Sequence, residues 1–285
     1  MIFVLLSVLC SVLVSVLLKL ARRLQVDVGQ AIAWNYVVTS VFTAWFLQPS
    51  LGNLRDPGVP WLALVALGIL LPTIFLALAA AVRHAGIVRS DAAQRLSLVL
   101  SLVAAFVLFG EPLTALKLGG IALGLLALLC MIWRVGPVAG PVGTAGWLYP
   151  VLVFVGFGVI DILFKRVAAA GTPLGDSLQA MFALALLVAV AMQLWRRALG
   201  HTRFTARSAL AGLALGAANF GNILFYLRGH RALPGHPALV FASMNIGVVA
   251  LGAVVGLLLF REKLSRLNLA GVLLAGVAIA VIARG

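Results

Sequence analysis

The chain has 285 residues, of which 64% are hydrophobic and only 10% charged. A water-soluble domain carries about a quarter of its residues as charges, so the composition excludes a protein wetted on every side. The 21 basic residues outnumber 7 acidic ones and leave a net charge of +14. They stand in short clusters between apolar runs, as cytoplasmic loops and anionic lipid heads favour, and not in the basic tail or aromatic-basic patch that nucleic acid asks for.

The apolar runs are continuous, and roughly 20 such residues carry a helix across a bilayer. The short alternating strands of an outer-membrane barrel are missing. The pattern predicts an all-α membrane protein with about ten transmembrane helices: about 2–20, 29–48, 61–83, 87–109, 114–134, 146–166, 174–195, 206–228, 236–260 and 264–283. The first run lacks a basic n-region; Lys19, Arg22 and Arg23 follow it. It therefore reads as a membrane helix and not as a cleaved signal. Turn chemistry breaks the chain at Pro49–Pro60, which holds Gly52, Asn53, Asp56, Pro57 and Gly58, and again at Gly171-Thr172-Pro173 and Gly235-His236-Pro237. A Gly- and Pro-rich stretch over 136–146 reads as a hinge between an N-terminal five-helix repeat, 1–135, and a C-terminal one, 146–285.

The repeat is visible in the residues. Leu108-Phe-Gly-Glu-Pro-Leu-Thr-Ala-Leu-Lys-Leu-Gly-Gly120 matches Leu259-Phe-Arg-Glu-Lys-Leu-Ser-Arg-Leu-Asn-Leu-Ala-Gly271. Ser15–Lys19 aligns with Asp161–Lys165, and Gly68 and Arg83 with Gly216 and Arg231. Five helices is an odd number, so the second repeat must enter the membrane inverted. Inverted repeats characterise transporters that work by alternating access around a site near the midplane. Basic residues near helix ends favour one side by 13 to 7, which places both termini outside by the positive-inside tendency.

The paired turns Phe109-Gly-Glu111-Pro-Leu-Thr114 and Phe260-Arg-Glu262-Lys-Leu-Ser265 each close one helix and open a Gly-containing one. Through them the whole chain resembles the drug/metabolite transporter superfamily, the EamA-type ten-helix permeases. The resemblance implies a multi-pass protein of the cell membrane, in bacteria the inner membrane. It also implies secondary transport, usually export, of amino acids, organic anions or related small solutes, through a central cavity lined partly by helices four and nine. This chain departs from many members in helix four, where Asp91-Ala-Ala-Gln94-Arg95-Leu-Ser97 replaces a proline after small residues.

Charge inside hydrocarbon costs at least about 2.5–3.5 kcal/mol per residue, so intramembrane charges are candidates for function. Arg95 lies near the middle of helix four, with Gln94 beside it and Asp91 at the i,i+4 spacing that permits pairing. The repeat places Asn245 of helix nine at the position of Gln94. Arg95 either binds an anionic group of the substrate or closes an ion pair with Asp91. Asp161 is the second deep acid. It either couples transport to protons by titrating or pairs with Lys165, snorkelling toward the membrane edge. Asn35, Thr39 and Thr43 share a face of helix two, beside Tyr36, and Asn219, Asn222 and Tyr226 share one of helix eight. These groups either contact substrate or tie helices together.

Glu111 and Glu262 sit at helix ends and read as structural bonds to the next helix or turn. Gly120/Gly124, Gly212/Gly216, Gly252/Gly256 and Gly271/Ala275 permit close helix packing, in a monomer or a homodimer. Trp45, Trp61, Trp133, Trp147 and Trp195 fall near helix ends as interfacial anchors. Cys10 and Cys130 lie in apolar runs and imply neither a disulfide nor a metal site, and no cofactor motif occurs.

The leading reading is a transporter with a small-molecule substrate and membrane lipid as its surroundings, coupled to protons or a counter-substrate, and not an enzyme. The alternatives are a flippase for a lipid or lipid-linked carrier, which needs a groove open to lipid, and a membrane-embedded enzyme acting on a lipid-linked substrate. The seven acids are scattered along the chain, whereas such an enzyme gathers them at one face.

Overall fold

The computed structural model describes residues 1–85, 87–132, 145–202, 204–260 and 265–284. Trp133, most of the expected hinge, and Glu262 of the second turn motif lie outside the described residues. The described elements are helices: α1 (Ile2–Arg23), α2 (Val28–Leu47), a short 3-10 helix (Leu51–Arg55), α3 (Trp61–Ala85), α4 (Ile87–Leu96), α5 (Leu98–Val107), α6 (Ala115–Ile132), α7 (Ala145–Ala169), α8 (Leu174–Ala198), α9 (Ala206–Ala232), α10 (Pro237–Phe260) and α11 (Arg266–Arg284). Seven are long and apolar enough to cross a membrane, and Ala92–Val107 and Ala115–Met131 are shorter apolar stretches. The chain is a multi-pass membrane protein.

The segment 87–109 forms α4 and α5, which meet at Ser97. Ser97 keeps right-handed helical backbone angles, and its N–H and carbonyl still bond to Ala93 and Ser101. The Ser97 hydroxyl donates to the Gln94 carbonyl at 2.6 Å, and the Leu100 N–H reaches the Ser97 carbonyl at 3.0 Å. A serine hydroxyl competes for a carbonyl inside a helix in this way.

The chain folds into two compact units, residues 1–73 with 163–231 and residues 74–162 with 232–285. Each draws helices from both sequence repeats. In the first, α2 packs on α8. Gly29 opens α2 beside Gln193 and Arg196, near the end of α8, and Gly175 opens α8 beside Leu47, at the end of α2. The two helices are therefore antiparallel. Gly29 and Gly175 are separated by the same 146 residues as Lys19 and Lys165, so they are repeat equivalents.

A second contact occurs twice. Gly68 of α3 abuts Leu184 of α8, and Gly216 of α9 abuts Val38 of α2. Gly68 and Gly216 are equivalents, and so are Val38 and Leu184. Half of the side chains of α2 are buried, among them Gln30, Asn35, Tyr36, Thr39 and Thr43. This polar load keeps α2 out of the set of most apolar helices, and packing between α8 and α9 shelters it from lipid.

In the second unit α6 packs on α11. A Cβ on Gly120, near the start of α6, would meet Ile282 at the end of α11; one on Gly271, near the start of α11, would meet Ala127, Cys130 and Met131 at the end of α6. These helices, the fifth of each repeat, are also antiparallel. Repeat equivalents that run in opposite senses are what an inverted duplication produces. The glycines allow the backbones to approach, and Asn268 adds hydrogen bonds from its Nδ2 to the Cys130 and Met131 carbonyls at 2.9 and 3.0 Å, which would otherwise be orphaned at a helix end. Of the small-residue pairs, Gly252 faces open space. Trp45, Trp61, Trp147 and Trp195 are exposed, as interfacial anchors are.

Candidate functional site

The second unit assembles a polar cluster on one carboxylate. Asp161 stands four residues past the middle of α7, about 6 Å along its axis at 1.5 Å per residue. Its Oδ2 accepts a hydrogen bond from Ser101 Oγ of α5 at 3.0 Å and one from Asn245 Nδ2 of α10 at 3.3 Å. Asn245 Nδ2 also donates to the Phe241 carbonyl one turn earlier, at 3.1 Å. Three helices thus converge on a single oxygen. Hydrogen bonds to a charged group contribute about 1.5–3 kcal/mol each, enough to offset the insertion cost of one carboxylate. Ser101 is buried, whereas Asp161 and Asn245 are half-buried and keep surface for a solute.

Gln94 and Arg95 form the last turn of α4 in the same unit and are also half-buried. The side chain of Asp91 lies outside the described residues, and with it the anticipated Asp91–Arg95 pair. The sequence singles out Asp161 and Asn245 separately, and the hydrogen bond between α7 and α10 joins them. Ser101 was missed, since a serine on an apolar helix gives no distinguishing signal.

The other anticipated residues belong to the first unit. Asn35, Tyr36, Asn219 and Tyr226 are buried. Asn35 Oδ1 and the Tyr36 hydroxyl are buried with no hydrogen-bond partner among the described residues. Thr39 and Thr43 instead donate to carbonyls of their own helix, those of Tyr36 and Thr39, at 3.2 and 2.7 Å. Asn222 accepts from Ser7 Oγ at its side-chain and main-chain oxygens, 3.0 and 2.8 Å, and so ties α9 to α1. Tyr226 lies edge-on to Phe164 and to His230, with ring centroids 5.8 and 4.8 Å away. Lys165 does not snorkel: it is 3% exposed, because this part of α7 is covered by packing.

Helix ends carry bonds of another kind. Asp27 caps α2, accepting from the Gln30 N–H at 3.0 Å. It also takes both Arg196 nitrogens at 2.9 and 3.1 Å and Thr202 Oγ1 at 2.6 Å. Burial alone would raise its carboxyl, but the Arg196 guanidinium, Thr202 and the Gln30 N–H outweigh that and hold it below its ordinary value. At the opposite end of the α2–α8 pair, Asn53 Nδ2 donates to Asp176 at 2.8 Å. In the second unit Glu111 accepts from the Ala238 N–H at 2.6 Å and so caps α10. Its other oxygen lies 3.1 Å from Lys117 Nζ, with both side chains buried. That is the structural role read for Glu111 from sequence.

A cavity of about 440 Å³ in the first unit is bounded by Trp34, Val190, Leu194 and Phe204. It contains none of the anticipated substrate residues. Among the described residues no group of three or more His, Cys, Asp or Glu side chains could hold a metal ion.

The model of the EamA-like transporter family matches residues 1–133. An uncharacterized protein of Haemophilus influenzae (strain Rd) is 41% identical over 263 residues, covering 90% of this chain and 88% of its own. A crystal structure of a protein with 18% sequence identity superposes with a TM-score of 0.74 over 98% of this chain and 94% of that one; at that identity the likeness concerns the fold.

Proposed function

Because this chain belongs to the EamA-like transporter family and so is a membrane transporter of small molecules, we propose that it is a secondary transporter, working by alternating access, that exports a small polar metabolite of the amino acid or organic anion class. The observation that carries the finer reading is the Asp161 carboxylate within the membrane-spanning part of α7, hydrogen-bonded by Ser101 and Asn245. A carboxylate retained at that depth, against its insertion cost, suits a group that changes protonation as solute passes. Arg95 of the same unit supplies the opposite charge for a substrate carboxylate. Asn245 and Gln94, equivalent in the two repeats, supply neutral polar contacts.

The test is flux in proteoliposomes loaded with labelled amino acids and organic anions, with and without an imposed pH gradient. The wild type is expected to move one class and to respond to the gradient. Asp161→Asn keeps the shape and one acceptor oxygen, so it is expected to leave exchange of substrate intact while abolishing the response. A variant that still follows the gradient rejects Asp161 as the coupling group. Arg95→Ala is expected to lower flux of the carboxylate substrate at least about tenfold, the effect of one charged hydrogen bond of 1.4 kcal/mol or more.

A further inference from the structure

We propose that the cleft between the start of α2, the end of α8 and the start of α9 is a binding site for one acyl chain of an anionic phospholipid, with the headgroup held by arginines at its mouth. Trp34 and Val37 of α2, Val190 and Leu194 of α8, and Phe204 form its apolar walls around about 440 Å³, within the range of ligand pockets. Trp34, Leu194 and Phe204 are 37%, 56% and 55% exposed, so the cleft opens sideways onto whatever surrounds the helices. In a multi-pass membrane protein that is lipid. Val37 lies nine residues into α2, about 14 Å from the helix start, so the cleft runs from the headgroup level into the hydrocarbon.

The two amide side chains on its walls are already engaged. Gln30 exchanges two hydrogen bonds with the Thr205 backbone, both 3.0 Å. Gln193 donates to Thr202 at 3.2 Å and accepts from Arg196 at 3.1 Å. Apart from the Trp34 indole nitrogen, what remains is hydrocarbon surface, which recognises a hydrocarbon chain. The adjoining helix ends are basic. Arg197, near the end of α8, and Arg207, at the start of α9, are exposed, and among the described residues the one acid of this unit at that end, Asp27, is taken by Arg196. A basic patch of this kind draws an anionic headgroup, each arginine contributing about a factor of five. This inference does not depend on what is transported.

Native mass spectrometry of the purified protein, exchanged into mixed dioleoylphosphatidylglycerol and dioleoylphosphatidylcholine, tests it. The wild type is expected to retain one phosphatidylglycerol in preference to phosphatidylcholine. Ala209→Trp, which fills the cleft, is expected to lose it. Arg197→Ala with Arg207→Ala is expected to keep a bound lipid but lose about 25-fold of the headgroup preference. Equal retention of the two lipids, or retention unchanged in Ala209→Trp, overturns the proposal. A readout with an unfilled cleft covers the case where Ala209→Trp misfolds: phosphatidylglycerol brominated on its acyl chains should quench tryptophan emission more than brominated phosphatidylcholine, and Trp34→Phe should remove the difference. No difference in the wild type also overturns it.

Discussion

Arg196 grips Asp27 with two nitrogens, one on each carboxylate oxygen, across 169 residues of sequence. The pair joins the end of α8 to the cap of α2 at one end of an antiparallel helix pair. Asp27→Asn keeps the cap and loses the charge, so the expected loss at neutral pH is about 1 kcal/mol; the pair is partly open to water, where screening limits it. The folded-state carboxyl lies below its ordinary value, so its stabilisation is complete above the unfolded pKa of about 3.9 and fades as pH falls through the folded value. The difference in apparent melting temperature between wild type and Asp27→Asn in detergent should therefore shrink as the pH falls below about 4. A constant difference would mean the charge is irrelevant.

Glu111 and Lys117 form a buried ion pair, and Glu111 also caps α10. Removing one member of such a pair leaves an uncompensated charge and costs about 3–5 kcal/mol, whereas replacing both by apolar or neutral groups costs far less. Glu111→Gln and Lys117→Met should each lower folded yield and melting temperature sharply, and the double variant should recover most of the loss. Additive losses in the double variant would show that the ion pair is not the unit.

Gly271 and Gly276 of α11 provide an internal control. A Cβ at Gly271 would lie 2.9 Å from the Ala127 carbonyl oxygen, whereas one at Gly276 meets nothing within 4 Å. Gly271→Ala should destabilise by about 1–3 kcal/mol through overpacking against backbone. Gly276→Ala should be neutral or stabilising by up to about 1 kcal/mol, from helix propensity. Thermal denaturation of the two variants side by side decides it, and equal effects would contradict the close approach of α6 and α11.

Tyr36 is fully buried, and its hydroxyl makes no hydrogen bond among the described residues. An unsatisfied buried hydroxyl costs about 1–3 kcal/mol, so Tyr36→Phe should raise the melting temperature. Tyr36 is a candidate substrate contact, so transport by the same variant is expected to fall. A variant that gains stability with unchanged flux would leave Tyr36 as a purely structural defect.

Sequence alone determined the solvent and the chain's duplication. Too few charges and helix-length apolar runs leave no soluble solution, and the matched turns at Glu111 and Glu262, with an odd helix count between them, require inversion. A structural bond from Glu111 to the next helix was legible, and Lys117 receives it; that Glu111 also caps α10, 127 residues on, was not. Tertiary structure alone decided which polar residues meet. Asp161, Ser101 and Asn245 are 60 to 144 residues apart, and which oxygen faces which nitrogen depends on helix rotation and depth, set by glycine contacts such as Gly120 on Ile282. Asn222 and Lys165 looked as available as Asn245. Asn222 accepts from Ser7 and Lys165 is buried, because hydropathy records how much a segment prefers lipid but carries no information on which of its faces another helix covers.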